Sequence, residues 1–203
     1  MVISRGIYLA ILAALVSERI FELWLSNRNA RLAFARGGIE LGRGQYRIIV
    51  AFHTLFIAAC AFGAMRNAPA FPDTLSMAAL AGEIAAQALR SWSVATLGQN
   101  WNTRVIVIPG MEPVTSGPYR WIRHPNYVGV VMEVFSLPLI HTAWVTALVG
   151  TALYMEVLRR RVRMEDSVLL ADPAYRLAMG DKPRFFPRVF RRGSGMPGAK
   201  RAA

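Results

Sequence analysis

The sequence contains five long apolar blocks, and they constrain its fold more than any other feature. They cover residues 6–25, 48–65, 75–97, 127–140 and 143–158. A helix needs about 20 apolar residues to cross the hydrocarbon core of a bilayer. Three blocks approach that length, and only His141 and Thr142 separate the last two, which is typical of a helical hairpin. The sequence therefore predicts an all-α integral membrane protein with about five transmembrane helices, the fourth and fifth forming a hairpin.

The basic residues are distributed unevenly between these blocks. The formal net charge of +12 would suggest a nucleic-acid partner for a soluble protein. Here the arginines concentrate in the first loop, the third loop and the tail, as the positive-inside rule describes. We therefore expect a lipid bilayer and no nucleic acid as partner. The first and third loops and the C-terminus are expected to face the cytoplasm, and the N-terminus the opposite side.

The chain length allows one domain, which we place at residues 1–190. Residues 1–97 hold the first three helices, and 98–190 form a second half with a long cytoplasmic loop and a C-terminal segment. Residues 191–203 are rich in Gly, Pro and Arg, which predicts a disordered basic tail. Cys60 is the single cysteine, so no disulfide framework or cysteine metal cluster forms within the chain, and no metal site is predicted.

A polar stripe interrupts the third block. Glu83, Gln87 and Arg90 are spaced i, i+4 and i+7, so they share one helix face. Such groups are costly against lipid, and the stripe should face the bundle interior or a wet cavity. Glu83 and Arg90 are interpreted either as a structural ion pair or as part of a site. His53, alone in the second block, is more typical of a hydrogen-bonded core residue than of a ligand.

Further polar residues lie at the end of the first helix and in the first and third loops. Glu18 and Glu22 share a face of that helix and either reach the membrane–water interface or belong to a site. The loop at 26–45 is expected to form a short amphipathic surface segment. The third loop, 98–123, is long and rich in turn residues but also in aromatic ones, so we expect it to be ordered. Within it, residues 104–108 are compatible with an extended strand.

The strongest motif is residues 117–129, Gly-Pro-Tyr-Arg-Trp-Ile-Arg-His-Pro-Asn-Tyr-Val-Gly. Pro125 suits the first turn of a helix, and His124 then lies beside unsatisfied amides at the positive end of the dipole. Gly129 allows the close approach of a backbone or a flat ligand. The motif predicts a polar, aromatic-walled site where the third loop meets the fourth helix. The alternative is an arginine-rich interfacial anchor with a helix cap.

A second motif follows the fifth block at residues 161–169. Arg161 and Glu165 are four residues apart on one helical face, and Glu165 and Asp166 are adjacent carboxylates. Such carboxylates beside a membrane are costly unless they meet a cation, such as a sulfonium, an ammonium or an arginine. The alternative is a surface ion pair that contributes only a few tenths of a kcal/mol.

Together these motifs resemble the isoprenylcysteine carboxyl methyltransferase family. The resemblance runs from about Arg90 to Pro187 and, through its N-terminal half, extends to a bacterial branch associated with polyketide-derived lipids such as alkylpyrones. It is carried by His124-Pro125-Asn126-Tyr127-Val128-Gly129, Tyr119, Arg161-x-x-x-Glu165-Asp166-x-x-Leu169, Leu97-Gly98-x-Asn100-Trp101, Tyr175, Pro183-Arg184-Phe185-Phe186-Pro187, Ser26-x-Arg28-Asn29 and Gln45-Tyr46.

The resemblance implies S-adenosylmethionine as cofactor. The implied cofactor-binding residues are Ile106, Met111, Glu112, Pro113, Val114, Tyr119, His124, Pro125, Asn126, Tyr127, Gly129 and Glu165. Arg161 and Glu165 are the implied catalytic residues, and Arg161, Trp101 and Arg90 the implied acceptor-binding residues. The chain departs from the family pattern at residues 111–113, which lack a frequent histidine, at Ile106 in place of a glutamine, and at Asp166 in place of a second glutamate.

The implied activity is O-methylation of a carboxyl or acidic hydroxyl of a lipophilic acceptor, isoprenylcysteine-like or alkylpyrone-like, at the cytoplasmic face of a bacterial membrane. The first alternative is a membrane sterol or steroid reductase that uses NADPH. That class shares Arg-His-Pro-Asn-Tyr-x-Gly but lacks the second motif and often has an acid where this chain has Val130. A phospholipid N-methyltransferase and a non-catalytic membrane protein or small transporter are further alternatives. The acceptor's identity and the oligomeric state stay open.

Overall fold

The computed structural model describes residues 3–66 and 73–187. The chain is mostly helical. Its elements are α1 (Arg5–Ala35), β1 (Ile39–Leu41), α2 (Arg43–Arg66), α3 (Asp73–Leu97), a 3-10 turn (Gly98–Asn100), β2 (Val105–Val107), a second 3-10 turn (Gly117–Arg120), α4 (Pro125–Leu139), α5 (Trp144–Leu169) and α6 (Pro173–Met179). The predicted disordered tail at 191–203 lies outside the described residues.

Each of the five apolar blocks forms a helix, as predicted. Within residues 3–66 and 73–187, α2 is the one helix that is both long and apolar enough to cross a membrane by length and composition. The number of membrane spans and the hairpin arrangement of α4 and α5 therefore stay predictions.

The first helix is longer than its apolar block. α1 continues to Ala35, so the predicted surface loop at 26–45 is wrong over its first ten residues. The reason is that its last turns carry buried polar side chains that bind the third loop. Asn29 Nδ2 donates to the carbonyl oxygens of Gly98 at 3.1 Å and Trp101 at 2.8 Å, and Ser26 Oγ donates to Asn102 Oδ1 at 2.8 Å.

A two-stranded antiparallel ribbon joins the first and third loops. β1 pairs with β2 in a register that sets Ile39 opposite Val107 and Leu41 opposite Val105. The extended conformation expected within 104–108 is confirmed, whereas the partner strand was not predicted. The all-α class therefore omits a small sheet. Because the ribbon follows directly on α1, it fixes the third loop over the end of that helix.

The third and fourth helices pack closely at Gly129. A Cβ atom there would lie 2.7 Å from Arg90 Cγ and 3.1 Å from the Ala86 carbonyl oxygen. Only a glycine lets α4 approach α3 to this distance. Pro125 opens α4 with His124 as its N-cap, as predicted.

The fifth helix is also longer than its apolar block. α5 runs to Leu169, so residues 161–169 belong to this helix and not to a separate segment after it. The helix continues because Arg161 and Asp166 point inward, where both are buried at 3% exposure. The short α6 follows, capped by Asp172 Oδ1, which accepts from the Tyr175 amide at 2.9 Å.

Candidate functional site

One cavity of about 530 Å³ brings the two motifs together. It lies where the third loop, the start of α4 and the end of α5 meet α1 and α2. This is within the size range of small-molecule sites. The predicted site residues that line it are Arg90, Trp101, Ile106, Met111, Pro113, Val114, Tyr119, His124, Asn126, Tyr127, Arg161 and Glu165.

Three predicted cofactor-binding residues lie outside the cavity wall. Glu112 is exposed on the third loop, and Pro125 is buried at the start of α4. Gly129 faces α3, where its missing side chain makes room for Arg90. The local role of Gly129 is therefore helix packing, which sequence spacing alone does not distinguish from ligand contact.

A hydrogen-bonded triad of side chains forms the centre of the wall. Tyr127 donates its hydroxyl proton to Glu165 Oε2 at 2.5 Å, and Arg161 Nε donates to the Tyr127 hydroxyl at 3.1 Å. Arg161 Nε also lies 3.5 Å from Glu165 Oε2. Tyr127 from α4 therefore bridges Arg161 and Glu165. The two residues do not form the isolated surface ion pair that was the alternative.

The guanidinium of Arg161 is fixed by hydrogen bonds but keeps one donor nitrogen without an acceptor among the described residues. Its Nη2 donates to the Thr103 carbonyl oxygen at 3.0 Å, whereas its Nη1 is buried and has no hydrogen-bond partner within the described chain. An unmet donor on a buried cation is costly. Arg161 therefore offers a positively charged donor to a ligand in the cavity.

His124 and Asp166 join the ends of the two motifs. His124 Nε2 lies 2.9 Å from Asp166 Oδ1, and Arg184 Nε donates to Asp166 Oδ2 at 2.6 Å. Burial alone would raise the pKa of Asp166, but the hydrogen bonds from His124 and Arg184 and the nearby Arg123 charge outweigh it and lower that pKa. Asp166 is therefore an ionised acceptor near neutral pH.

Residues 181–187, here called the strap, cover this junction. The amides of Arg123 and His124 donate to the carbonyl oxygens of Pro183 at 2.9 Å and Arg184 at 3.0 Å. Lys182 Nζ donates to the Tyr119 carbonyl oxygen at 2.9 Å. Burial lowers the pKa of Lys182 from its ordinary value. The strap thus fixes the backbone around the cavity residues Tyr119 and His124.

Two further phenols line the same region. Burial, reinforced by the Glu165 charge, raises the pKa values of Tyr119 and Tyr175 above the ordinary value for tyrosine. Both side chains therefore stay neutral near pH 7. Both residues line the cavity, and neutral aromatic rings suit a positively charged ligand.

A second polar cluster borders the cavity between α1, α3 and α4. Arg90 Nη2 donates to both oxygens of Glu22, at 2.7 and 2.8 Å, and its Nη1 donates to Glu133 Oε2 at 3.0 Å. Arg19 Nη2 also donates to Glu133, at 2.7 Å. The interpretation of Glu83 and Arg90 as an ion pair is therefore wrong, because other helices supply the carboxylates of Arg90.

Sequence reasoning missed Glu133 and Arg19 in this cluster. Glu133 was the one charged residue in the fourth apolar block, and an isolated charge within such a block is a signal for a buried polar partner. Gln87 Nε2 donates to Glu133 at 3.0 Å and to Glu83 at 2.7 Å. The predicted stripe on α3 does face inward, as expected.

The remaining wall is apolar and lies between α1 and α2. This apolar arm is formed by Val16, Ile20, Leu23, Ile49, Val50 and Ile57. Ile20 is 63% exposed, so the arm opens on the outer surface of the helices. His53 lines the arm beside Tyr154, and its Nδ1 donates to the Ile49 carbonyl oxygen at 2.9 Å, as expected for a hydrogen-bonded histidine.

No group of three or more His, Cys, Asp and Glu side chains that could hold a metal ion occurs within residues 3–66 and 73–187.

Comparison with known proteins gives a family match over the same region. Residues 77–171 match the sequence profile of the isoprenylcysteine carboxyl methyltransferase family. The chain is 33% identical over 160 residues to the uncharacterized protein YpbQ of Bacillus subtilis (strain 168), covering 78% of this chain and 94% of that protein. It is 28% identical over 158 residues to an uncharacterized protein of Haemophilus influenzae, covering 77% and 91%.

A solved structure is also similar. It is the eukaryotic intramembrane Ras methyltransferase, an isoprenylcysteine carboxyl methyltransferase, at 25% identity and a TM-score of 0.48. The match covers 68% of this chain and 50% of that one, so this chain spans about half the length of the eukaryotic protein.

Proposed function

Because this chain belongs to the isoprenylcysteine carboxyl methyltransferase family, we propose that it transfers a methyl group from S-adenosylmethionine to an anionic oxygen of a lipophilic acceptor. The observation that carries the proposal is Arg161, whose buried Nη1 has no partner within the described chain and whose side chain lines a cavity with a polar and an apolar part. A buried positive donor beside an apolar arm fits an amphiphile with an acidic head.

The residues of the polar part fit the proposed methyl donor. S-adenosylmethionine, when bound, supplies a methyl group on a positively charged sulfur. Glu165 provides a carboxylate, and Tyr119 and Tyr127 provide aromatic faces that favour a cation. Asn126 Oδ1 is buried without a hydrogen-bond partner within the described chain, so it is ready to accept from an amino or hydroxyl group.

Arg161 would hold the acceptor. A carboxylate or an acidic enol or phenol is already ionised near neutral pH, so it needs orientation more than a strong base. Tyr127, Thr103 and Glu165 fix the guanidinium in place. Its free Nη1 can then donate to the anionic oxygen without reorganisation, which is the condition for effective electrostatic catalysis.

We place the acceptor chain in the apolar arm and the site on the cytoplasmic side. The arm opens between α1 and α2, where a membrane-dissolved molecule can enter without crossing water. The first and third loops, which carry β1 and β2, are rich in arginine, and the polar part lies against them. That charge bias is the cytoplasmic signature of membrane proteins.

Binding and turnover test the proposal separately. The purified chain in lipid nanodiscs is titrated with S-adenosylhomocysteine and with NADPH by calorimetry, and we expect binding of the first only. Labelled S-adenosylmethionine with a bacterial lipid extract is expected to give a methylated lipid, identified by mass spectrometry as an ester or an aryl or enol ether. Binding of NADPH alone, or methyl transfer only to an amine, would contradict O-methylation.

A matched pair of variants tests the role of Arg161. Arg161→Gln is expected to retain S-adenosylhomocysteine binding and to lose about a hundredfold or more in methyl transfer, as for a lost charged catalytic donor. Arg159→Gln changes an exposed arginine on the same helix and is expected to leave both unchanged. Equal methyl-transfer activities of the two variants would show that Arg161 does not hold the acceptor and would contradict the proposal.

A further inference from the structure

Asp166 holds two different groups with its two oxygens. Oδ1 meets His124 Nε2 at 2.9 Å, and Oδ2 accepts from Arg184 Nε at 2.6 Å with Arg123 Nη2 at 3.5 Å. The carboxyl group and the imidazole are both buried, at 3% and 4% exposure. Asp166 is therefore the point at which α5, the start of α4 and the strap are joined.

This contact defines the proton positions on His124. A carboxylate only accepts, so the proton of the hydrogen bond is on Nε2. The guanidinium groups of Arg123 and Arg184 lie against the other oxygen of the Asp166 carboxylate. In the neutral ring, Nδ1 is then a hydrogen-bond acceptor.

Nδ1 is also left free for a ligand. His124 is the N-cap residue of α4, yet its side chain caps no amide of that helix, and the described residues offer Nδ1 no hydrogen-bond partner. Its ring lines the cavity and lies against the Tyr127 ring, with the centroids 5.4 Å apart. Phe185 of the strap also lies near the ring, with its centroid 6.1 Å away.

We propose that Asp166 is a positioning residue that fixes His124 as the neutral Nε2–H tautomer, so that Nδ1 accepts a hydrogen bond from an amino group of the bound methyl donor. This inference rests on the proposed function, because the amino groups in question are those of S-adenosylmethionine. The ligand group that faces His124 is thus a donor and not the carboxylate of the methionine end. Arg184 contributes indirectly, by holding the Asp166 carboxylate toward the ring.

The first test observes the tautomer in the protein without ligand. The full chain is labelled with 15N-histidine in nanodiscs, and the signal of His124, one of three histidines, is assigned with His124→Gln. We expect the Nε2–H tautomer, with an Nδ1 signal that shifts when S-adenosylhomocysteine is added. In Asp166→Asn, whose amide can donate to the ring, we expect the Nδ1–H tautomer or a mixture. A purely structural role of Asp166 would leave this signal unchanged.

The second test measures affinity by calorimetry. Asp166→Asn is expected to raise the Kd for S-adenosylhomocysteine about tenfold, the scale of one lost hydrogen bond. Glu156→Gln on the same helix, an exposed residue outside the cavity, is the matched control and is expected to leave it unchanged. Two analogues, one without the adenine amino group and one without the methionine amino group, identify the partner of Nδ1. The analogue that lacks the group bound by His124 should have the same Kd in the wild type and in Asp166→Asn.

Three outcomes overturn the inference. They are an Nδ1–H or doubly protonated ring in the wild type, an unchanged tautomer and Kd in Asp166→Asn, and equal sensitivity of both analogues to that substitution. Failure of the wild type to bind S-adenosylhomocysteine would instead contradict the proposed function. The tautomer measurement distinguishes the two cases, since it needs no ligand.

Discussion

Arg90 donates to both carboxylate oxygens of Glu22, at 2.7 and 2.8 Å, across the interface between α3 and α1. Its other terminal nitrogen is taken by Glu133 on α4. Arg90 was expected to bind the methyl acceptor, but both of its terminal nitrogens are occupied by these carboxylates. Arg161 differs from Arg90 because its unpartnered nitrogen within the described chain is the terminal Nη1, whereas in Arg90 it is Nε.

Arg90→Met is expected to destabilise the protein by about 3–5 kcal/mol, because it leaves two buried carboxylates short of a cation. The measurement is a denaturant titration in lipid–detergent micelles. Arg159→Met, which breaks an exposed pair with Glu156, is the control and should not move the midpoint. An equal effect of both substitutions would show that the buried cluster contributes nothing to the fold.

Gly129→Ala is expected to destabilise the protein by about 1–3 kcal/mol, since the new Cβ meets Arg90 Cγ at 2.7 Å and the Ala86 carbonyl oxygen at 3.1 Å. Gly44→Ala, near the start of α2, meets nothing within 4 Å and should be neutral or slightly stabilising. The two midpoints are compared by thermal unfolding. A neutral Gly129→Ala would mean that α3 and α4 are not packed this closely.

Ile57→Trp is expected to narrow the apolar arm and to raise the KM for long-chain acceptors about tenfold, while S-adenosylhomocysteine binding stays unchanged. The factor reflects the loss of one or two buried methylene contacts. Leu55→Trp, on the same helix but 71% exposed and outside the arm, should leave both unchanged. An equal rise in KM for short-chain and long-chain acceptors would show that the acceptor's apolar chain does not lie in this arm.

The Asp166 contacts are expected to stabilise the fold in a pH-dependent way. The folded-state pKa of Asp166 lies below its ordinary value of 3.8, so the folded state favours the carboxylate. The stabilisation is fully present above the unfolded-state pKa and is lost as the pH falls through the folded-state pKa. The stability difference between wild type and Asp166→Asn should therefore be present at neutral pH and disappear in acid. Denaturant titrations at several pH values measure it, and a difference that grows in acid would contradict the assignment.

Apolar blocks predicted the helices but not where they end. α1 extends beyond its block because Ser26 and Asn29 bind the third loop. α5 extends beyond its block because Arg161 lines the cavity and Asp166 is buried against His124 and Arg184. Both extensions are stabilised by contacts with residues distant in sequence. Hydropathy along the chain does not contain that information.

The candidate site was predictable in part for the same reason. The motifs around His124 and Glu165 were distinctive as local strings, and the structure places them around one cavity. The partners of Arg90 could not be chosen from spacing on α3 alone, because Glu22 and Glu133 come from other helices. The apolar arm was also missed as a set of residues, since its side chains look like any lipid-facing surface until α1 and α2 are placed together.

α5 fixes the spacing between the two parts of the cavity. Tyr154, Arg161 and Glu165 lie on one uninterrupted helix, the first beside the apolar arm and the last in the polar part. With about 3.6 residues per turn, one residue added or removed between Tyr154 and Arg161 would rotate everything beyond it by about 100°. In the proposed function, the length of this stretch therefore sets the distance between the apolar arm, which takes the acceptor chain, and the polar part, which takes the methyl donor.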